Sequence, residues 1–188
     1  MKRWIYSFSK DRKTSTLERE FDFDFLEFEL TAKLRFKKGF SYHIQGFSDE
    51  GDKDICGKIW IDFTIDPIDL PTKWSEIYFD LIDVMRHEME HLTQNGWNEK
   101  NGKWLEDDSL ERNLINQGIL EAYLYLLLPK EIDANLQGLA LKSRKKKEPL
   151  INTIEQYLDS EEIDEERKES VIAVWRKRAI QIGGIPKF

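Results

Sequence analysis

Cysteine and histidine are scarce in this chain of 188 residues, and each scarcity is informative. Cys56 is the single cysteine. No disulfide framework within the chain can hold the fold, and a lone thiol suits a reducing compartment. Long apolar runs are also missing. Met1-Lys2-Arg3-Trp4-Ile5-Tyr6-Ser7 is basic, but no sustained apolar region follows of the kind a secretory signal needs. The stretch from Ile119 to Leu128 is too short to span a bilayer and contains Glu121. A cytoplasmic chain with no membrane partner is expected. Positive charge is not in excess: 29 Lys and Arg against 36 Asp and Glu give a net charge of −7, which argues against a generic electrostatic grip on nucleic acid. The basic run Lys142-Ser143-Arg144-Lys145-Lys146-Lys147 is expected to complement the C-terminal end of a helix and stay solvated. Internal repeats and low-complexity linkers are absent as well.

The hydrophobic content of 40% and aromatic content of 12% are those of a folded chain, and the length is that of a single domain over residues 1–188. Its organisation changes once. In residues 1–70, Phe21, Phe23 and Phe25 alternate with acidic residues, Phe40, Tyr42 and Ile44 with polar ones, and Ile59, Ile61, Phe63 and Ile65 again with polar ones. Three or more strands, each with one apolar face, are expected there. Residues 71–188 read as helical. Thr72 is the expected N-cap of a long helix through Ser75 to Gln94 that ends near Asn95-Gly96, and residues 97–110 read as a loop. Further helices are expected from Leu114 to Leu128, Lys130 to Lys142, Pro149 to Leu158 and Glu161 to Lys177. A sheet packed on a helix and followed by a helical half is an α+β architecture.

Only three histidines occur, and two of them stand in His87-Glu88-Met89-Glu90-His91. On an α-helix, positions 87 and 91 lie about 40° apart around the axis and roughly 6 Å apart along it, so both imidazoles can reach one metal ion. Ile77, Leu81, Val84, Met85 and Leu92 define the apolar arc of this helix, and Glu88 falls inside it. A carboxylate facing the interior is costly unless compensated, and a metal-bound water is a suitable partner. The HExxH pattern, with two histidine ligands and a glutamate general base, is that of zinc peptidases. The bland alternative is a surface helix with two solvated histidines and no metal.

A catalytic zinc site generally has three protein ligands. The candidates for the third are His43, Glu121, Glu131, Asp133 and the carboxylates of the Glu99 to Glu111 loop. Glu131 is preferred. Pro129 suits the first turn of a helix, on which Glu131, Ala134, Asn135 and Gly138 share one face while Ile132, Leu136 and Leu139 share another. Ala134 and Gly138 would permit close approach to another helix. Asn135, one turn beyond Glu131, could accept the other ring N–H of a zinc-bound histidine and so fix its tautomer. An acidic residue at this position would also simply suit a helix N-terminus. Tyr123, Tyr125 and His43 are the candidates for stabilising an oxyanion, beside plain roles as core aromatics or an exposed strand residue, and the strand from Gly57 to Asp66 is either the sheet edge that binds extended substrate or simply an interior strand.

The HExxH run with Glu131-x-x-Ala134-Asn135 downstream resembles the gluzincin branch of the zincin metallopeptidases, and the second segment is similar to the third-ligand helix of the ImmA/IrrE family. The longer run Tyr125-Leu126-Leu127-Leu128-Pro129-Lys130-Glu131-Ile132-Asp133-Ala134, with Gly138-Leu139 and the lysine-rich stretch, resembles uncharacterised metallopeptidase-like proteins of phages and environmental genomes. That likeness covers roughly residues 75–158. The Leu-Leu-Met-Pro tail of the ImmA/IrrE ligand helix is absent, and Leu126-Leu127-Leu128-Pro129 precedes Glu131 instead. The resemblance implies a zincin-like fold, one Zn²⁺ per chain held by His87, His91 and Glu131, and peptide-bond hydrolysis with Glu88 as general base. It implies a peptide or protein substrate, and a host cytoplasm or virion as location if the chain is phage-encoded. The acidic surface would favour neutral or basic peptide segments. The alternative is a non-catalytic zincin-like structural or interaction protein, for example of a phage, in which zinc is only a staple.

Overall fold

The computed structural model describes residues 15–23, 26–49, 57–94, 108–161 and 163–188. Cys56, Phe25, Asn95-Gly96 and most of the expected 97–110 loop lie outside them. The class is α+β, with strands first and helices after. The chain divides into two compact units, Met1–Leu92 and Thr93–Phe188.

Among the described residues, the N-terminal unit is a four-stranded mixed sheet with one long helix. Its strands are β1 (Ser15–Phe23), β2 (Leu26–Phe36), β3 (Tyr42–Asp49) and β4 (Gly57–Ile65), in the order β1-β2-β4-β3. The first and last pairs are antiparallel, and β2 runs parallel to β4. Period-two alternation builds the sheet. Phe28, Leu30, Ala32 and Leu34 of β2 and Ile59, Ile61, Phe63 and Ile65 of β4 are all buried, in the register Leu30 to Ile59 and Ala32 to Ile61. The opposite face carries cross-strand ion pairs, Arg35 with Asp62 at 3.0 Å and Lys58 with Glu29 at 3.6 Å.

Leu26–Phe36 forms a fourth strand, within the three or more expected, at a segment where none was read; one expectation changes. The strand from Gly57 is not a sheet edge: β4 hydrogen-bonds to β2 on one side and to β3 on the other, with Ile59, Ile61, Phe63 and Ile65 buried on one face, and among the described residues β3 is the edge beside it.

Helix α1 (Leu70–Leu92) lies on the apolar face. Ile77 and Leu70 pack with Leu34, Phe63 and Ile65, while Leu81 and Leu92 join Phe28, Leu30, Ile59 and Ile61. The helix starts two residues before the expected cap. Thr72 sits in its first turn, its hydroxyl donating to the Asp69 carbonyl at 3.2 Å. Asp66 sets the entry: its carboxylate accepts from the backbone N–H groups of Gly39 (2.6 Å) and Ile68 (3.0 Å), tying the β2–β3 turn to the start of α1. Gly39 has φ +74°, a left-handed conformation that glycine adopts without the usual steric cost. The Tyr42 hydroxyl on β3 donates to Asp80 on α1 at 2.5 Å, and Lys73 donates to the Ser41 hydroxyl at 2.7 Å. Edge strand and helix are thus pinned together.

The C-terminal unit contains α2 (Ser109–Asn116), a 3₁₀ segment (Ala122–Leu127), α3 (Pro129–Lys146), α4 (Leu150–Ser160) and α5 (Glu165–Ile182). The single helix expected from Leu114 to Leu128 is interrupted. Gly118, at φ +70°, donates to the Ile115 carbonyl (2.9 Å), and Ile119 donates to that of Leu114 (2.9 Å). This paired closure with a left-handed glycine ends α2. Leu126, Ile132, Leu136, Leu139, Ile154, Leu158, Val171 and Trp175 form the core. The Trp175 indole N–H donates to the Leu126 carbonyl at 2.8 Å, and Asp133, 1% exposed, takes a two-point contact from Arg178 at 2.7 and 2.8 Å. Arg144, Lys145 and Lys146 of the basic run fall in the last turn of α3, as the helix dipole favours, and Lys147 closes it in a left-handed conformation. Among the described residues, no helix is long and apolar enough to cross a membrane.

Candidate metal centre

The HExxH residues occupy the last two turns of α1. The Nε2 atoms of His87 and His91 lie 3.1 Å apart, with ring centroids at 4.8 Å and planes inclined at 78°. Both rings are half-buried. Two nitrogens bound to one tetrahedral zinc at about 2.0–2.1 Å would stand roughly 3.3 Å apart, so the helix alone brings this pair close to the separation a metal requires. The donor types suit zinc as well, since neutral imidazole is a common ligand for it.

Glu88, on the side of α1 facing the sheet, is buried. What admits it is Gly46 of β3. A Cβ at that position would stand 2.6 Å from both Glu88 Cγ and Glu88 Oε1, and 2.7 Å from Val84 Cγ1. The absent side chain of the edge strand is therefore the space that the Glu88 carboxyl stem occupies. A lone glycine within an alternating strand is the sequence signal for such close approach. Glu90, also buried, pairs one turn back with Arg86 at 2.8 Å.

In the C-terminal unit, Glu131 lies in the first turn of α3 and is 1% exposed. Its Oε1 accepts from Arg112 Nη1 and from the Tyr125 hydroxyl, each at 2.9 Å. Arg112 Nη1 also donates to the Tyr125 oxygen at 2.6 Å, and its Nη2 to Asp108 at 3.3 Å. Burial and the neighbouring Glu131 charge push the Tyr125 hydroxyl above its usual range, the Arg112 charge opposing them. Burial works against the Arg112 charge, but the hydrogen bond to Glu131 and the surrounding negative groups outweigh it and push its pKa up. Gln94 donates to the Lys130 carbonyl, beside Glu131, at 2.9 Å. Asn135 is buried one turn along α3.

The remaining candidates are placed elsewhere. His43 is exposed on β3, facing away from the Tyr42, Ile44 and Gly46 side. Glu121 is an exposed partner of Arg167 at 2.6 Å, and Asp133 is committed to Arg178. Tyr123 lies under the Arg167 guanidinium at 5.0 Å and packs on the core. Tyr125 is engaged with Glu131. In the Glu99 to Glu111 segment, Asp108 binds Arg112 and Glu111 is exposed. Among the described residues, the group of histidine and carboxylate side chains that could hold a metal ion is His87, His91 and Glu131. Sequence spacing did not point to Arg112, Gly46 or Gln94, and of these only Gly46 carried a local signal.

Compared with known proteins, the chain matches no family model, no curated protein and no solved structure.

Proposed function

We propose that the chain is a zinc-dependent metallopeptidase of zincin type, with His87, His91 and Glu131 as ligands and Glu88 as general base. The observation that carries this reading is the 3.1 Å approach of the two Nε2 atoms. A buried carboxylate on the intervening residue and a second buried carboxylate of ligand type at Glu131 support it. When bound, zinc would lower the pKa of water and polarise a peptide carbonyl. Glu88 takes the proton from water on its carboxylate and delivers it to the departing amine nitrogen. Its burial against Gly46 keeps bulk water from competing for that carboxylate. Substrate is bound in extended form along β3, which among the described residues pairs with a strand on one side only, by hydrogen bonding to its open edge.

The test is the zinc content, by elemental mass spectrometry, of protein prepared without added metal. About one zinc per chain is expected, to be lost in Glu131→Ala and kept in Glu88→Gln. Peptide hydrolysis by the wild type, absent in Glu88→Gln, would distinguish a peptidase from a chain in which zinc is only a staple. No zinc, and none taken up on addition, would refute the reading.

A further inference from the structure

We propose that Arg112 and Tyr125 are positioning residues for the metal-binding carboxylate of Glu131, an inference that rests on the zinc reading above. Helix α2, which carries Arg112, contributes no buried residue, so its packing does not explain why its arginine reaches a carboxylate that is 1% exposed. Three elements converge on one atom: the Arg112 guanidinium from α2 and the Tyr125 hydroxyl from the 3₁₀ segment both donate to Glu131 Oε1 on α3. Arg112 also donates to the Tyr125 oxygen, and its guanidinium lies 5.0 Å from that ring's centroid, so the two donors brace each other. Asp108 takes the other end of the guanidinium. A carboxylate held this way cannot turn about its terminal torsion without breaking both hydrogen bonds. Carboxylates that bind metals are themselves hydrogen-bonded, and removal of such support costs 10–100-fold in affinity. Arg112 further supplies the positive charge that a buried carboxylate needs before any metal arrives.

Zinc affinity of the full chain, measured by competition with a chromophoric chelator, is the test. Tyr125→Phe and Arg112→Met are expected to weaken zinc roughly 10–100-fold, with Arg112→Lys recovering part of the loss. The visible absorption of the cobalt-substituted protein should shift in the same variants. A merely structural bridge would lower the melting temperature of the metal-free protein and leave its rise on zinc addition unchanged. Tyr125→Phe keeps the arginine–carboxylate pair and so decides the matter if Arg112→Met does not fold. Zinc affinity unchanged in a folded Tyr125→Phe overturns this inference alone. Wild-type protein that takes up no zinc overturns the metal reading and this inference with it.

Discussion

Replacing Gly46 by alanine adds one methyl group at the point where β3 faces Glu88, the proposed general base. The new carbon would meet Glu88 Cγ and Oε1 at 2.6 Å and Val84 Cγ1 at 2.7 Å, whereas carbon atoms settle at about 3.5–4.0 Å. A displacement on the order of 1 Å is therefore forced, shared between Glu88, Val84 and the strand. Neither α1 nor β3 yields freely, since Tyr42 and Asp80 hold them together at 2.5 Å. Overpacking of this kind costs about 1–3 kcal/mol, and a 1 Å misplacement of a reacting group costs about 10²-fold in rate. Gly46→Ala should thus lose about 1–3 kcal/mol in urea unfolding while binding zinc as the wild type does, and hydrolysis should fall by about two orders of magnitude. In a Glu88→Ala background two of the three close contacts disappear, so the stability cost of Gly46→Ala should shrink by roughly 0.5 kcal/mol or more, the scale of coupling between touching residues. Equal costs in both backgrounds would show that Gly46 is not reserved for Glu88, and full activity of Gly46→Ala would refute the placement of the base.

Arg178→Met should strip Asp133 of its two-point partner. Asp133 is buried but Arg178 is partly exposed, so the loss of stability is expected between the ~1 kcal/mol of a surface pair and the ~3–5 kcal/mol of a buried one, read by chemical unfolding; a loss below that range would mean that the pair is solvated. Trp175→Phe should cost about 1–3 kcal/mol, because the buried Leu126 carbonyl loses its donor; thermal melting reports it, and an unchanged midpoint would contradict the assignment. Burial alone would raise the Glu148 carboxyl, but hydrogen bonds from Lys146 and Thr153 and the charges of Lys146 and Lys142 hold it below its ordinary value of 4.5. A depressed carboxylate contributes stability that is present above that ordinary value and lost as the pH falls through the lowered folded one. Glu148→Gln should therefore flatten the acid limb of the stability curve without altering the plateau slope near neutrality.

The sequence announces α1 and its candidate metal-binding pair because both repeat at helical spacing. The apolar positions of α1 continue through Glu88, and the conflict between that charge and its place in the pattern is enough to single the residue out. Strand β2 is harder to see. Its alternation of Phe28, Leu30, Ala32 and Leu34 is as regular as that of β4, but it follows β1 after only two residues and in the opposite phase, without the glycine or proline that usually marks a reversal. The break after α2 carries such a mark in Gly118, yet the apolar residues beyond it keep a helix-compatible spacing, and a left-handed glycine closure outweighs periodicity once the carbonyls of Leu114 and Ile115 have donors. The site divides in the same way. His87, Glu88 and His91 are close because they are local, so spacing alone places them. Gly46 is 42 residues from Glu88 and Arg112 is 19 from Glu131, and nothing in the local pattern names their partners. A candidate ligand's type can be read from its own helix, but what holds that side chain still depends on which distant elements the core brings alongside. A charged residue such as Arg112, on a helix that buries nothing, looks like solvated surface until the carboxylate opposite is in view.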